Sequence, residues 1–190
     1  MPAPPRTRSF PGYHGRAVSR EEYLDLEDDG YRYEMIGGML FQAPSHLPEH
    51  GILQVEFAAE LALYLRTRPV GKAMVEVDVL LPDGGDVLCP DLSYVSKEQS
   101  AILLKHIHGA PELICEILSD RTRTRDLGEK AERYLKCGVR EYWLIDPRDR
   151  IVQLWLNRGN FWEKRSAAAG SSLSSELLIG FVVSVDAFFG

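Results

Sequence analysis

The stretch Glu112-Leu113-Ile114-Cys115-Glu116-Ile117-Leu118 sets one carboxylate, Glu116, inside a run that is otherwise apolar on both of its alternating faces. A strand with two apolar faces is covered on both sides and lies centrally in its sheet. An acid at its middle is costly unless it is paired, protonated or bound to a metal. Asp91 presents the same problem, following Pro90 with Cys89, Leu92 and Val95 around it. Two adjacent strands, each offering one inward carboxylate, would form a hard-oxygen site of the kind Mg²⁺ or Mn²⁺ takes. The spacing alone equally allows a structural reading, with Asp91 at a strand end and Glu116 paired with Lys130 or an arginine.

Lys130 shifts that balance. It stands on the helix that leaves this strand and shares a face with Asp126 and Tyr134 by i±4 spacing. A returning helix can bring its ammonium beside the two acids. Two acids and a lysine around a divalent ion suit phosphodiester hydrolysis, which needs an activated water and positive charge for the developing phosphorane.

Outward from this centre the elements alternate. Ser19-Arg20-Glu21-Glu22 is a capping box that opens a short helix ending at Gly30. Tyr33 to Phe41 reads as a hairpin around Gly37-Gly38. A polar loop from His46 to His50 precedes an amphipathic helix carrying Leu53, Phe57, Leu61 and Leu65. Strands are expected over 73–81 and 87–95, joined by the turn Pro82-Asp83-Gly84-Gly85, and over 112–118. In the first of these, Glu76 and Asp78 read as solvent-facing by alternation. A capped segment, 96–105, lies between the second and third. A helix over 124–136 ends at Gly138, in the position of a C-terminal capping glycine. Strands over 141–146, 151–156 and 161–165 form a meander, and 167–175 reads as a loop. The expected fold is α/β, a mixed sheet with helices packed against it. Residues 1–17 read as a flexible tail and 18–190 as one domain.

Bulk properties narrow the function. The 190 residues are 45% hydrophobic and 26% charged, as in an ordinary globular protein with one real core. The apolar stretch from Leu177 to Phe189 is broken by Gly180, Ser184 and Asp186 and falls short of a membrane span. The first sixteen residues carry no apolar segment of a signal peptide. Cys89, Cys115 and Cys137 have no C-x-x-C spacing, so reduced thiols in a cytoplasmic protein are expected rather than disulfides or zinc. A net charge of −6 argues against a nonspecific nucleic-acid coat. Between Arg121 and Arg140, however, basic residues outnumber acidic ones, which suits a phosphate-facing rim as well as a solvated helix face.

Pro90-Asp91, the run Pro111 to Ser119, Arg125-Asp126-Leu127-Gly128-Glu129-Lys130, Tyr134 and the run Gly138 to Pro147 together closely resemble the Uma-two family. Its members are bacterial proteins of the PD-(D/E)XK nuclease superfamily. The resemblance extends from about Ser19 to Phe189 and includes Tyr33-Glu34 and His50. It implies a restriction-endonuclease-like fold, with a mixed β-sheet core flanked by helices and a C-terminal β-meander. It also implies metal-dependent cleavage of nucleic acid, with DNA as the expected substrate. Asp91 and Glu116 would be the metal-binding acids, joined by the backbone carbonyl of Ile117; Lys130 would be the lysine and Glu34 a further acid.

Two positions depart from the pattern. Leu118 stands where the superfamily usually carries its lysine, so that role falls to Lys130, and Asp120 stands where relatives usually have proline. His50, Arg125 and Tyr134 are candidates for substrate contact, with helix capping the stronger reading for His50 and packing an equal one for Tyr134. Trp143, Trp155 and Trp162 read as core residues. A homodimer is expected, since a symmetric pair of sites cuts both strands of a duplex. The rival reading is a non-catalytic nucleic-acid-binding or assembly module on the same fold.

Overall fold

The computed structural model describes residues 12–45, 47–82 and 85–190. Helix α1 (Arg20–Leu24) opens with the expected capping box, Ser19 and Glu22 each bonding the other's backbone N–H. The hairpin forms as β1 (Tyr33–Ile36) and β2 (Met39–Gln42). Gly37 and Gly38 hold φ of 59° and 75°, the doubly positive backbone that a two-residue turn needs to match strand twist. Helix α2 (Pro48–Thr67) buries Leu53, Phe57 and Leu61. It starts at Pro48, inside the expected polar loop; His46 lies outside the described residues.

Residues 1–11 of the expected tail also lie outside the described residues. Its last part runs beside β2: Gly15 N donates to Leu40 O, Leu40 N donates to Arg16 O, and Ala17 bridges Met39.

Two expected strands each divide in two. The first gives β3 (Gly71–Val75) and β4 (Val79–Leu80), the second β5 (Val87–Leu88) and β6 (Leu92–Ser96). The first break falls at Glu76, whose φ of 52° is left-handed and ends the extended run. The second falls at Cys89-Pro90, where proline has no N–H to offer a ladder. Of the turn between β4 and β5, Asp83 and Gly84 lie outside the described residues. After a 3₁₀ turn (Ser100–Ile102) come β7 (Ile107–His108) and β8 (Leu113–Ile117). The C-terminal part supplies β9 (Glu141–Asp146), β10 (Ile151–Asn157) and β11 (Trp162–Ala167).

The consequence is two mixed sheets where the sequence predicts one. One has the order β2-β1-β5-β4-β7, the other β11-β10-β9-β8-β6-β3. The chain crosses between them at the two breaks. In the larger sheet β8 is central, parallel to β9 and antiparallel to β6.

The 167–175 segment is also more ordered than a loop. It contains β12 (Ser172–Ser174), which pairs with β13 (Val182–Ser184). The buried carboxylate of Glu141 holds this ribbon's exit by accepting from Ser175 Oγ and from the Glu176 and Leu177 amides. Helix α5 (Asp186–Phe189) closes the chain. No helix among the described residues is long and apolar enough to cross a membrane.

Alternation along β8 assigns its two faces. Leu113, Cys115 and Ile117 pack with Phe57, Trp143 and Phe181, whereas Ile114 and Leu118 pack with Ala131, Tyr134 and Tyr142. The second face is covered by the expected 124–136 helix, which forms in three pieces: α3 (Arg123–Arg125), a π-helical turn (Asp126–Lys130) and α4 (Ala131–Lys136). Gly138, with φ 87°, ends it in the left-handed conformation that glycine adopts without strain. Side chains from the sheet catch carbonyls along this helix. Tyr142 OH donates to Asp126 O at 3.1 Å and Trp162 Nε1 to Ala131 O at 3.0 Å. Trp143 and Trp155 are buried in the core as expected, with Trp162 half-buried beside Trp155.

Candidate active site

Glu116 sits on the face of β8 opposite Cys115, so it points away from the Phe57 core and toward the helical turn Asp126–Lys130. Asp91 lies one residue before β6. Since Leu92 pairs with Cys115, the next position outward sets Asp91 opposite Glu116. Ile117 N donates to Asp91 Oδ2 at 2.7 Å, and Asp91 N reaches Glu116 Oε2 at 3.4 Å. The two acids therefore face the same space between neighbouring strands. The chain break at Pro90 permits this, because Asp91 is free of a regular ladder and its side chain can take the Ile117 amide.

Lys130 enters from the π-helical turn. Its ammonium stands 2.8 Å from Glu34 Oε1, 2.9 Å from Glu116 Oε1 and 3.3 Å from Asp126 Oδ1. The sequence suggests a polar helix face for this lysine; in the fold it is 3% exposed, because the turn that carries it is pressed onto the sheet. Glu34 arrives from β1 of the smaller sheet, anchored by the Cys89 amide at 3.1 Å. The site thus gathers where the two sheets meet.

His50, one turn into α2, places Nε2 3.0 Å from Asp91 Oδ1. It does not cap its helix: the N-cap is Leu47, which has no side-chain bond to offer. Gln54, one turn further on, donates to Asp91 O at 2.9 Å and to Glu76 Oε1 at 3.3 Å. Glu76 is therefore not a solvent-facing strand residue. It pairs with Arg32 and stabilises the bend beside Asp91. Asp78 is likewise engaged, accepting from Tyr23 OH at 3.3 Å.

Arg125 lies at the rim, its guanidinium stacked 4.3 Å over the Phe41 ring and 3.9 Å from Glu34. Tyr134, a candidate for substrate contact, is fully buried behind Glu116 and donates to its Oε1 at 3.1 Å. Its position allows it to hold the carboxylate but not to meet a substrate. Residues of the cleft that the sequence reading passed over are Asp126, Gln54, Cys89, Ser119 and Thr122. Two of these had a signal: Asp126 and Gln54 stand four residues from Lys130 and His50, on the same helix faces.

The electrostatics follow from one buried ammonium shared by several acids. Burial pushes the Glu116 carboxyl well above the usual carboxylate range; Lys130 opposes the shift, and the charges of Asp126, Asp91 and Glu34 add to it. Burial raises Asp126 in the same way, again against Lys130. For Lys130 burial works toward loss of the proton, yet Glu116, Glu34 and Asp126 together hold it well above an ordinary lysine. One ammonium is thus shared among three acids. Asp126 Oδ1 makes no hydrogen bond.

This all-oxygen, acid-rich donor set suits a hard divalent cation. Among the described residues no three His, Cys, Asp or Glu side chains are grouped as a metal-holding set. The chain could therefore offer a pair of facing carboxylates, Asp91 and Glu116, and leave the remaining positions to water, as Mg²⁺ prefers.

Comparison with known proteins gives the following. The Uma2 family model, described as "Putative restriction endonuclease", matches residues 20–186. No curated protein matches the chain. Among solved structures, one described as "a putative nuclease belonging to DUF820 from Anabaena variabilis ATCC 29413" superposes with a TM-score of 0.79. The match covers 90% of this chain and 97% of that one at 20% identity, a likeness of fold.

Proposed function

The chain belongs to the Uma2 family, and from that premise we propose that it hydrolyses phosphodiester bonds in DNA with a bound divalent ion, Mg²⁺ or Mn²⁺. The observation that carries this reading is the concentration of Glu34, Glu116 and Asp126 around the buried ammonium of Lys130, with Asp91 beside Glu116. A purely structural ion pair needs one acid. Further buried carboxylates only add desolvation cost, and such a surplus is what a site for a positively charged ligand leaves when read from the protein side.

Asp91, Glu116 and the Ile117 carbonyl would hold the ion, which when bound supplies positive charge at the phosphate and an acidified water. The chain's own residues do the rest. His50 and the Ile117 amide each fix one oxygen of Asp91, so that carboxylate is oriented in advance. Tyr134 and Lys130 fix Glu116 Oε1 from behind. Lys130 adds a positive charge beside the reacting centre, where negative charge grows in the transition state. Arg125, at the mouth, is placed to take a phosphate flanking the cut. A homodimer acting in the cytoplasm completes the reading, and Cys89 and Cys115, present as thiols, are in keeping with a reducing setting.

Incubation with supercoiled plasmid in Mg²⁺ or Mn²⁺ tests this. Wild type should nick or linearise it and lose the activity in EDTA, while Asp91→Asn and Glu116→Gln should be inactive. Wild-type protein that binds the plasmid but leaves it intact with either metal would favour the non-catalytic module instead.

A further inference from the structure

Helix α2 is apolar on two opposite faces. Its inner face packs Leu53, Phe57 and Leu61 into the core of the larger sheet, and His50 and Gln54 on the same side hold Asp91. A helix lying on a globular surface normally turns polar residues outward. On α2 the outward residues are instead Ile52, Val55, Ala59, Ala62 and Leu63, at the three- and four-residue spacing of one stripe. Ile52, Val55 and Leu63 are 59%, 65% and 56% exposed. We infer that this stripe is covered by a second copy of the chain, two α2 helices packing antiparallel about a twofold axis at Ala59. The inference rests on the homodimer in the reading above and names the surface that forms it.

Charge selects a second copy and sets its direction. Glu49 stands in the first turn of α2 and Arg66 in the last, with Glu56 on the flank of the stripe between them. None of the three makes an ion pair among the described residues. Contacts across a twofold axis are reciprocal. With the axis at Ala59, Val55 meets the partner's Leu63. Arg66 then falls beside the partner's Ile52, between the partner's Glu49 and the partner's Glu56. A parallel pair would set each of these charges against its own copy. Ala59 and Ala62 put only methyl groups at the crossing, so the axes can approach to the lower end of the roughly 8–10 Å of packed helices. His50 and Gln54 lie on the inner face, so the pairing takes no residue from either site. A rise of about 1.5 Å per residue sets the two His50 side chains roughly 27 Å apart along the pair, one toward each end.

Light scattering at tens of micromolar and disulfide trapping test the proposal. Val55→Glu with Leu63→Glu should turn the dimer into a monomer with an unchanged circular dichroism spectrum, since both side chains point away from the core and glutamate suits a helix. Glu49→Arg with Glu56→Arg should raise the dissociation constant about tenfold, and adding Arg66→Glu should restore it. Ala59→Cys should form a covalent dimer under mild oxidation, because identical residues at the axis come within the about 4.4–6.8 Å between Cα atoms that a disulfide spans. Lys97→Cys, exposed elsewhere, should not. A wild type that is dimeric and stays so with Val55→Glu and Leu63→Glu would overturn the proposal and leave the homodimer standing. Ala59→Cys that crosslinks no faster than Lys97→Cys would overturn it as well. A monomeric wild type would remove both the interface and the dimer, with the metal-dependent chemistry untouched.

Discussion

Removal of Lys130 is the perturbation whose size the structure sets most directly. Lys130→Ala in EDTA leaves Glu34, Glu116 and Asp126 buried with no ammonium among them. Breaking a buried ion pair by deleting one partner costs about 3–5 kcal/mol. Against a total stability of about 5–15 kcal/mol this is a large fraction. For a chain of this length it corresponds to a fall in Tm of about 6–20 °C. Lys130→Met should lose nearly as much, because the loss comes from uncompensated charge and not from a cavity.

The pH dependence gives a second handle. Burial already holds the Glu116 and Asp126 carboxyls above their ordinary values, and Lys130 is the largest influence opposing it. Without the lysine both should rise further. An acid whose folded pKa exceeds its unfolded one favours folding below the unfolded value, and that benefit is lost as pH rises through the folded pKa. The deficit of the variant should therefore be small near pH 4 and grow through neutrality. Differential scanning calorimetry at pH 4 to 8 reads this. A variant that melts within about 2 °C of wild type at pH 8 would refute the account of Lys130 as the charge that holds the cluster together.

Glu116→Gln should behave in the opposite sense. It removes a carboxyl that burial destabilises in its charged form, so in EDTA it should melt at or above wild type at pH 8, while Mn²⁺ binding is lost; a clear fall in Tm with metal binding retained would contradict this. His50→Ala should leave the fold intact and reduce cleavage or metal affinity by about 10–100-fold, as expected for a residue that orients a ligand. Unchanged kinetics would make the His50–Asp91 contact incidental. Light scattering at tens of micromolar should give twice the chain mass, and a monomer would remove the dimer from the proposed function.

The sequence foretold the acid pair but misjudged how it is delivered. Unbroken alternation over 73–81 and 87–95 suggested two long strands, and alternation records which residues are buried, not which sheet buries them. Glu76 and Pro90 end the first pieces, and at each of these breaks the chain passes from one sheet to the other. Those crossings bring Glu34, on the smaller sheet, to Lys130, on a helix packed against the larger one. The left-handed backbone at Glu76 is supported by Arg32 and Gln54, distant in sequence, so no local pattern announces it.

What the sequence determined by itself was everything set by neighbours along the chain. Ser19 and Glu22 cap α1, Gly37-Gly38 turn the hairpin, the four-residue spacing of Leu53, Phe57 and Leu61 makes α2, and Gly138 ends the helix that carries Lys130. The apolar run around Glu116 fixed that strand as central and its acid as costly. Tertiary structure alone decided the π-helical turn, whose carbonyl at Asp126 is caught by Tyr142 from another strand, and the burial of Lys130 among acids from three elements. It decided equally that Tyr134 stands behind Glu116 and His50 beside Asp91. These facts depend on long-range contacts, and a charged side chain on a helix looks the same in sequence whether water or other side chains surround it.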